Sequence, residues 1–334
     1  MSATGLVSAQ QPFHGLRPVN LRRDLGEIAD LIELCFGPTL DSSGRSAIQE
    51  MRIVSRSGPI LWLVNRLGHA IPFMRGFVWI EGDGVVGNVS ITPAGFGQGW
   101  VIANVAVHPT YRRRGIARQL MQASLAQIMQ QGAFATLQVD ADNDHARRLY
   151  ETLGFRSERT FTRWRRSGHL RPPEPLPDLP PIRRATRGQA EALYTLAQRV
   201  RPNLRGGLGW LRPTEPAAVR PSRLAGLRYF LSGRRRDFWI VPAGDETGID
   251  AALAVEQRMG GMVTAFDLLV ERERRGDLDT ILLNFLLRRF EGRHVPVVTD
   301  HPADDDTTSG VLHDHFFRPE RTLVHMVWPV PGKE

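Results

Sequence analysis

Six of the thirteen residues 169–181, HLRPPEPLPDLPP, are proline. Each proline removes a backbone donor and fixes φ, so neither a helix nor a central strand can cross this stretch. The 334-residue chain is thereby parted into segments 1–168 and 182–334, each long enough to bury its own core. The spacing predicts two domains with residues 169–181 as a semi-extended tether.

With 42% apolar and 23% charged residues, the composition is that of a folded chain. Cys35 is the single cysteine, which excludes an internal disulfide and fits a reducing, cytoplasmic setting. The opening MSATGLVSAQQPFHGLRP has no basic start followed by an apolar run, so no secretory signal is expected. The most apolar stretch, residues 60–79, is broken by Asn65, Arg66, His69 and Arg75, so no spanning helix or membrane partner is expected. The formal charge is +8, and Lys333 is the only lysine. The arginine clusters at 163–166, 234–236 and 272–275 lack an aromatic-basic RNA-binding signature. They read as solvated surface, and a nucleic-acid partner is the weakest option.

Apolar spacing in the first segment changes between helical and strand periods. Residues 16–20 read as a strand. Leu25, Ile28, Leu31, Ile32 and Cys35 share one helical stripe within 24–36, which makes Cys35 a core thiol. A second helix is expected over about 46–67. Residues 77–81 and 85–92 are β-rich and joined by Gly82-Asp83-Gly84, a hairpin signal. Residues 100–107 form another strand. Residues 114–131 form an amphipathic helix with Gly132 as its C-cap. A strand at 136–139, a helix at 143–153 and a strand at 155–164 complete the order β-α-α-β-β-β-α-β-α-β.

The second segment repeats this plan. Strands are expected at 182–186, 238–241, 251–257, 262–270, 294–299 and 321–330, and helices at 188–199 and 277–290. FRSERT at 155–160 matches FRPERT at 317–322 in five of six positions. The shared order of elements around the match predicts a duplication. His313, His315 and Asp304 to Asp306 read as a solvated, flexible loop, and no metal is expected.

The chemistry concentrates in residues 105–120, VAVHPTYRRRGIARQL. A strand ends at Val107, an arginine-rich loop turns at Gly115, and a helix begins at once. The first N–H groups of a helix have no internal partners and carry about half a positive charge. Gly115 and Ala117 lack bulk, so an anion can approach the backbone, and Arg112, Arg113 and Arg114 add charged donors. Such a loop can cradle a pyrophosphate, or it can be an ordinary turn with a basic surface. Downstream, residues 142–155 read DNDHARRLYETLGF.

Together these stretches resemble the GNAT superfamily of N-acetyltransferases. Arg112, Gly115 and Ala117 fill its Q/R-x-x-G-x-G/A motif, approached through Val107, Pro109, Tyr111 and Arg112. Asn143, Ala146, Leu149, Tyr150, Gly154 and Phe155 fill N-x-x-A-x-x-L-Y-x-x-x-G-F. The resemblance covers about residues 14–166. It implies an α/β fold with a mixed sheet, the GNAT acyl-CoA N-acyltransferase fold, here duplicated in tandem with the second copy degenerate. It implies acetyl-CoA as co-substrate. The pantetheine arm would pair with Val105, Ala106 and Val107 between two splayed strands. The pyrophosphate would sit on Arg112, Arg113, Arg114, Gly115, Ile116 and Ala117. The primary amine of a small molecule or a protein would attack the thioester directly, and Tyr150 would protonate the leaving thiolate. A phenol is still protonated at pH 7, with a reference pKa of about 10. A packing role fits Tyr150 as well. Asn143 is either a contact of the co-substrate or a helix N-cap.

The attacking amine must also lose a proton. In the ribosomal-protein branch of the family a Glu matches Gln138, which cannot accept one. Asp140 lies two residues on, on the same strand face. Glu81 ends another strand. A water held by Asn104, Ser90 or Asn88 is a further option, and the three stay open.

The second copy of the phosphate loop reads Glu273-Arg-Arg-Gly276-Asp277-Leu278, with a carboxylate in place of the anchoring Arg. Leu312 replaces Tyr150. This half is expected to lack acetyl-CoA chemistry. Two readings follow: an acetyl-CoA-dependent acyltransferase, or a non-catalytic acyl-CoA sensor or interaction protein that keeps the fold. The two-domain layout also resembles, in architecture, the tandem GNAT enzymes of mycothiol biosynthesis. The acceptor, which segment 36–76 would help to select, and the oligomeric state are not written in these motifs.

Overall fold

The computed structural model describes residues 13–37, 42–56, 75–82, 84–94, 99–131, 133–177, 179–219, 234–244, 248–258 and 263–329. The expected helix beyond residue 56, Asp83 of the hairpin and the Gly132 cap lie outside them. The chain forms two compact units, each discontinuous in sequence: Met1–Leu137, Arg148–Phe155 and Val327–Glu334, and Gln138–Arg147 with Arg156–Met326.

The elements of the first half are β1 (Gly15–Pro18), α1 (Leu21–Phe36), α2 (Ser42–Arg56), β2 (Arg75–Glu81), β3 (Gly84–Pro93), β4 (Gly99–Val107), α3 (Ile116–Met129), β5 (Phe134–Asp140), α4 (Asp144–Thr152) and β6 (Arg156–Arg166). The second half repeats them one for one. They are β7 (Arg183–Arg184), α5 (Ala190–Val200), α6 (Pro216–Val219), β8 (Arg234–Pro242), β9 (Ile249–Arg258), β10 (Thr264–Val270), α7 (Asp277–Arg289), β11 (Val297–Pro302), α8 (Asp306–Asp314) and β12 (Arg318–Trp328).

In the first unit the sheet order is β1-β2-β3-β4-β5, antiparallel up to β4 and parallel from β4 to β5. Asn20 starts α1, its side-chain oxygen accepting from Arg22 N–H. The buried Asp24 then accepts from Asn20 N–H at 2.7 Å and takes two bonds from Arg17 at 2.6 and 2.7 Å. The helical stripe Leu25, Ile28, Ala29, Leu31 and Ile32 packs with Val78, Ile80, Val85 and Ala106 of the sheet. Burying each of the larger side chains contributes about 2 kcal/mol, so Ile28→Asp would detach α1. Helix α3 lies close to β3 because Gly87 leaves room. A Cβ there would come within 2.9 Å of Ile116 and 3.1 Å of Leu120.

The second unit has the order β12-β6-β11-β10-β9-β8-β7. Strand β6, from the first half of the sequence, pairs antiparallel with β11 over Phe161–Arg166. Its other neighbour is β12, where the Thr162 and Thr322 hydroxyls are 3.0 Å apart. The end of β5 belongs to this unit as well, and Ala141 N–H donates to Thr322 O at 2.9 Å. The core joins Leu253, Val255, Phe266 and Leu268 of the sheet to Leu278, Leu282 and Leu286 of α7, with Leu312 and Phe317.

Two expectations need correction. The proline segment is not a bare tether. Asn284 and Arg288 of α7 donate to Glu174 O at 2.7 Å and Pro173 O at 3.0 Å, and the buried Arg166 donates to Leu170 O and Arg171 O. Its carbonyls, unlike its missing N–H groups, remain available, and α7 uses them. Residues 304–306 do not belong to a loose loop either. Asp305 is the buried N-cap of α8, accepting from Thr308 N–H. His313 pairs with Arg318 at 2.9 Å and His315 with Val311 O at 2.9 Å. Among the described residues no helix is long and apolar enough to cross a membrane.

Candidate active site

Strand β4 carries the first part of the site. Its parallel pairing with β5 stops after Val101 opposite Thr136. Beyond that point Asn104 adopts φ 53° and the register with β3 shifts, so β4 bulges. Ala106 and Val107 thus keep β3 on one side, and none of Val105, Ala106 and Val107 pairs with β5 on the other. Val107 O is already used, accepting from Arg112 Nε at 3.2 Å and from the Cys35 thiol at 3.5 Å. Behind the bulge, Asn88 donates to Asn104 O at 2.9 Å, and Asn88 Oδ1 is buried without a hydrogen-bond partner.

A short 3-10 turn, Pro109–Tyr111, leads from β4 to α3. The three arginines have different duties. Arg112 bonds Val107 O, and Arg114 bonds Thr110 O at 3.3 Å while lying 4.9 Å over the Tyr111 ring. Both hold the loop in shape. Arg113 has φ 63°, and its side chain has no partner among the described residues. Gly115, at φ 77°, is the N-cap of α3 and no side chain caps the helix. The first backbone bond there is Gln119 N–H to Gly115 O at 3.1 Å. The N–H groups of Gly115, Ile116 and Ala117 are therefore left for a ligand. Such a row of donors on a glycine turn suits a phosphate.

Tyr150, on α4, is buried against Phe155, with ring centroids 5.9 Å apart. Burial pushes its phenol up to about 12. The hydroxyl has no hydrogen-bond partner among the described residues. A phenol in that state is a proton donor awaiting an acceptor. Asn143 acts as an N-cap, its Oδ1 accepting from Ala146 N–H at 3.1 Å.

The two carboxylate candidates are both engaged. Glu81 accepts from the Trp79 indole at 3.0 Å and pairs with His14 at 2.8 Å, and these bonds hold its carboxyl below the usual range. Asp140 is clamped by Arg321 through both oxygens. Gln138 meets a residue that the sequence reading did not single out. Its Nε2 is 2.9 Å from His325 Nε2 on β12. The one available signal was a histidine set in the apolar run Leu323, Val324, Met326, Val327.

The corresponding loop of the second half is built differently. Gly276 N–H donates to Asp279 Oδ2 at 3.0 Å, and Thr308 Oγ donates to the same oxygen at 3.0 Å. Leu278 and Leu312 are buried in the core. Asp305 binds Arg275 at 3.2 Å and His301 at 2.9 Å. The α7 N-terminus is thus served by the chain's own carboxylate.

A profile of the Acetyltransferase (GNAT) family matches residues 47–155. A segment of 117 residues is 31% identical to the [Ribosomal protein bS18]-alanine N-acetyltransferase of Salmonella typhimurium and spans 78% of that protein. The chain belongs to the GNAT acetyltransferase family. It is an acyltransferase. An alignment over 108 residues is 35% identical to the Mycothiol acetyltransferase of Corynebacterium aurimucosum, covering 32% of this chain and a third, 33%, of that relative. Solved structures extend the likeness in fold to the whole length. A GCN5-related N-acetyltransferase from Sphaerobacter thermophilus aligns over 96% of both chains with TM-score 0.63 at 16% identity. A tandem GNAT protein from the clavulanic acid biosynthesis pathway covers 96% of this chain and 99% of its own, with TM-score 0.52 at 19% identity. The GNAT fold is therefore present twice.

Proposed function

We propose that this GNAT protein transfers the acetyl group of acetyl-CoA to a primary amine by direct attack, with residues 1–168 as the catalytic domain. The observation that carries this reading is the uncapped N-terminus of α3, with three backbone donors beside a strand edge left open past Val101. Acetyl-CoA is the co-substrate. Gly115, Ile116 and Ala117 would hold its pyrophosphate, and Val105 to Val107 its pantetheine arm. The amine nitrogen attacks the thioester carbonyl, the C–N bond forms, and the C–S electron pair leaves with sulfur. Tyr150 supplies the proton that makes the thiol, the nitrogen gives up one proton to water, and Tyr150 regains its own from water. Its unpartnered hydroxyl supports that role over packing alone.

Residues 169–181 join this domain to a degenerate GNAT-like domain, 182–334, which takes no acetyl-CoA in this reading. Asp279 occupies the Gly276 donor, Glu273 stands in the place of Arg112, and Leu312 in the place of Tyr150. The acceptor is a small molecule or a protein, and relatives named for mycothiol and for a ribosomal-protein alanine make both worth testing. A cytoplasmic enzyme without a membrane or nucleic-acid partner completes the reading. The test is calorimetric titration with acetyl-CoA, followed by thiol release with a panel of amines including alaninamide and glucosamine. One binding event per chain and amine-dependent thiol release are expected. Two equal events, or binding without release for any amine, would replace this reading with a second donor site or a sensor.

A further inference from the structure

The second unit has a split of its own between two parallel strands, and one of its own side chains stands in it. Strands β10 and β11 pair at Thr264–Val297 and Ala265–Val298, and among the described residues nothing pairs them beyond, although β10 runs on to Val270 and β11 to Pro302. Val270 is followed by a 3-10 turn, Arg272–Arg274, and by Gly276 before α7, as Val107 is by Pro109–Tyr111 and Gly115 before α3. Leu268 thus holds the place of Val105. Arg201, the residue just after α5, reaches into this split. Its N–H donates to Ala197 O at 2.8 Å, and its carbonyl accepts from the Thr214 hydroxyl. Its Nη2 donates to Leu268 O on β10 at 3.4 Å and to His301 Nδ1 on β11 at 3.2 Å. A guanidinium only donates, so Nδ1 carries the lone pair and Nε2–H donates to Asp305 Oδ2 at 2.9 Å. Asp305 is held in turn by Arg275 at 3.2 Å and by Thr308 N–H at 3.2 Å. Val200, Val270 and Asp279 close around this group and leave no room for a water molecule.

Stability alone is a poor reason for such a residue. Arg201 is 6% exposed, and among the described residues no carboxylate bonds it and its buried Nη1 has no hydrogen-bond partner. Burial lowers the guanidinium to about 10, so it keeps its charge at pH 7. A buried cation with an idle donor costs free energy that an apolar side chain of the same volume would not. What a guanidinium offers instead is a flat set of N–H donors for a strand edge, which the amides of a pantetheine arm offer as well. We propose that Arg201 is the built-in occupant of the second unit's donor cleft, an autoinhibitory side chain lodged where the arm of an acyl-CoA would enter. The inference rests on the acetyl-transfer reading above, which makes the matching edge of β4 the donor site. Asp279 closes the phosphate end of this second cleft by taking the Gly276 N–H, and Arg201 closes the arm end.

The experiment uses the full chain. Arg201→Gly should lower the melting temperature and leave a site that guanidinium fits. Guanidinium chloride at millimolar concentration, well below its denaturing range, should recover about half of that loss or more, with saturation. Urea, which has the same shape without the charge, and sodium chloride at equal ionic strength should recover none of it. Arg201→Met fills the split without a donor, so its melting temperature should not respond to guanidinium, and neither should the parent's. If Arg201→Gly does not fold alone, its refolding yield with and without guanidinium reads the same site, and a yield that guanidinium does not raise overturns the inference. An Arg201→Gly variant that melts with the parent would also overturn it, as would a gain that urea or the parent shares. One acetyl-CoA per parent chain is expected in calorimetry. Two would show the second cleft open with Arg201 in place and would overturn the inference while leaving the transfer reading standing. A parent that takes up no acetyl-CoA removes the transfer reading and this inference with it, whatever guanidinium does.

Discussion

Asp140 and Arg321 form a two-oxygen ion pair, Nε to Oδ1 at 2.6 Å and Nη2 to Oδ2 at 3.0 Å. The pair lies at the end of β5 and joins it to β12. Both Asp140 oxygens already accept from Arg321, so reaching an amine would mean giving up one of those bonds. Because both side chains are partly exposed, the pair contributes less than about 1 kcal/mol. Asp140→Asn should therefore shift the melting temperature by a few degrees at most and leave turnover within a few-fold. Steady-state kinetics of that variant separate the two roles. A hundredfold loss of kcat with intact acetyl-CoA affinity would make Asp140 the base.

Gly115 combines a left-handed backbone with an open surround, since nothing lies within 4 Å of where its Cβ would be. Gly115→Ala should cost about 1 kcal/mol through backbone strain alone. Gly115→Glu adds a carboxylate beside the three free donors and should abolish acetyl-CoA binding in calorimetry. Unchanged affinity in Gly115→Glu would show that the loop does not hold the pyrophosphate.

Removing an unpartnered hydroxyl leaves nothing unsatisfied behind. Tyr150→Phe should therefore fold with the stability of the parent, within about 0.5 kcal/mol. Its kcat should nonetheless fall about 10²-fold, because the positioned donor is lost. Equilibrium unfolding paired with initial rates checks both halves. A destabilised variant with normal turnover would mark Tyr150 as packing only.

Two buried histidines give the folded state a defined response to acid. Burial lowers both His325 and His301, the former to about 4. In the unfolded chain both titrate near pH 6.5. Between pH 6.5 and 4 the unfolded chain therefore binds protons that the folded chain refuses. Stability is full above that window and falls as the pH drops through it. His325 alone should account for about 2 kcal/mol between pH 7 and pH 5, and His301 adds in the same direction. Urea midpoints measured across this range should show that slope, reduced by one proton in His325→Gln. A flat profile would mean that the imidazole is accessible to water.

The sequence discloses the element order and the phosphate loop because both are local. Helix stripes, the hairpin glycines and the R-x-x-G-x-A turn act within a few residues of themselves. The Gln138–His325 pair was not legible, since it joins residues 187 apart and follows from which strand lies beside β5. The engaged state of Asp140 escaped for the same reason, with Arg321 supplied by β12. Helix α8 was hidden by its composition. Asp304 to Asp306, His313 and His315 read as a solvated loop, yet Asp305 is buried because Thr308, His301 and Arg275 satisfy it. The closing of the α7 terminus by Asp279 was within reach. An acidic residue three places after the glycine is a capping signal.

Strand β6 has β11 on one side and β12 on the other. Neither exists until another 130 residues or more have left the ribosome. At about 5–20 residues per second, β6 waits on the order of ten seconds with both edges bare. During that interval the nascent chain exposes Phe161 and Trp164, side chains that are buried once folding ends. Those seconds are when a holdase or a misplaced neighbouring strand can compete for it. Slow codons between residues 170 and 290 would lengthen the exposure, so yield in the cell depends on the tempo of synthesis as well as on the finished fold.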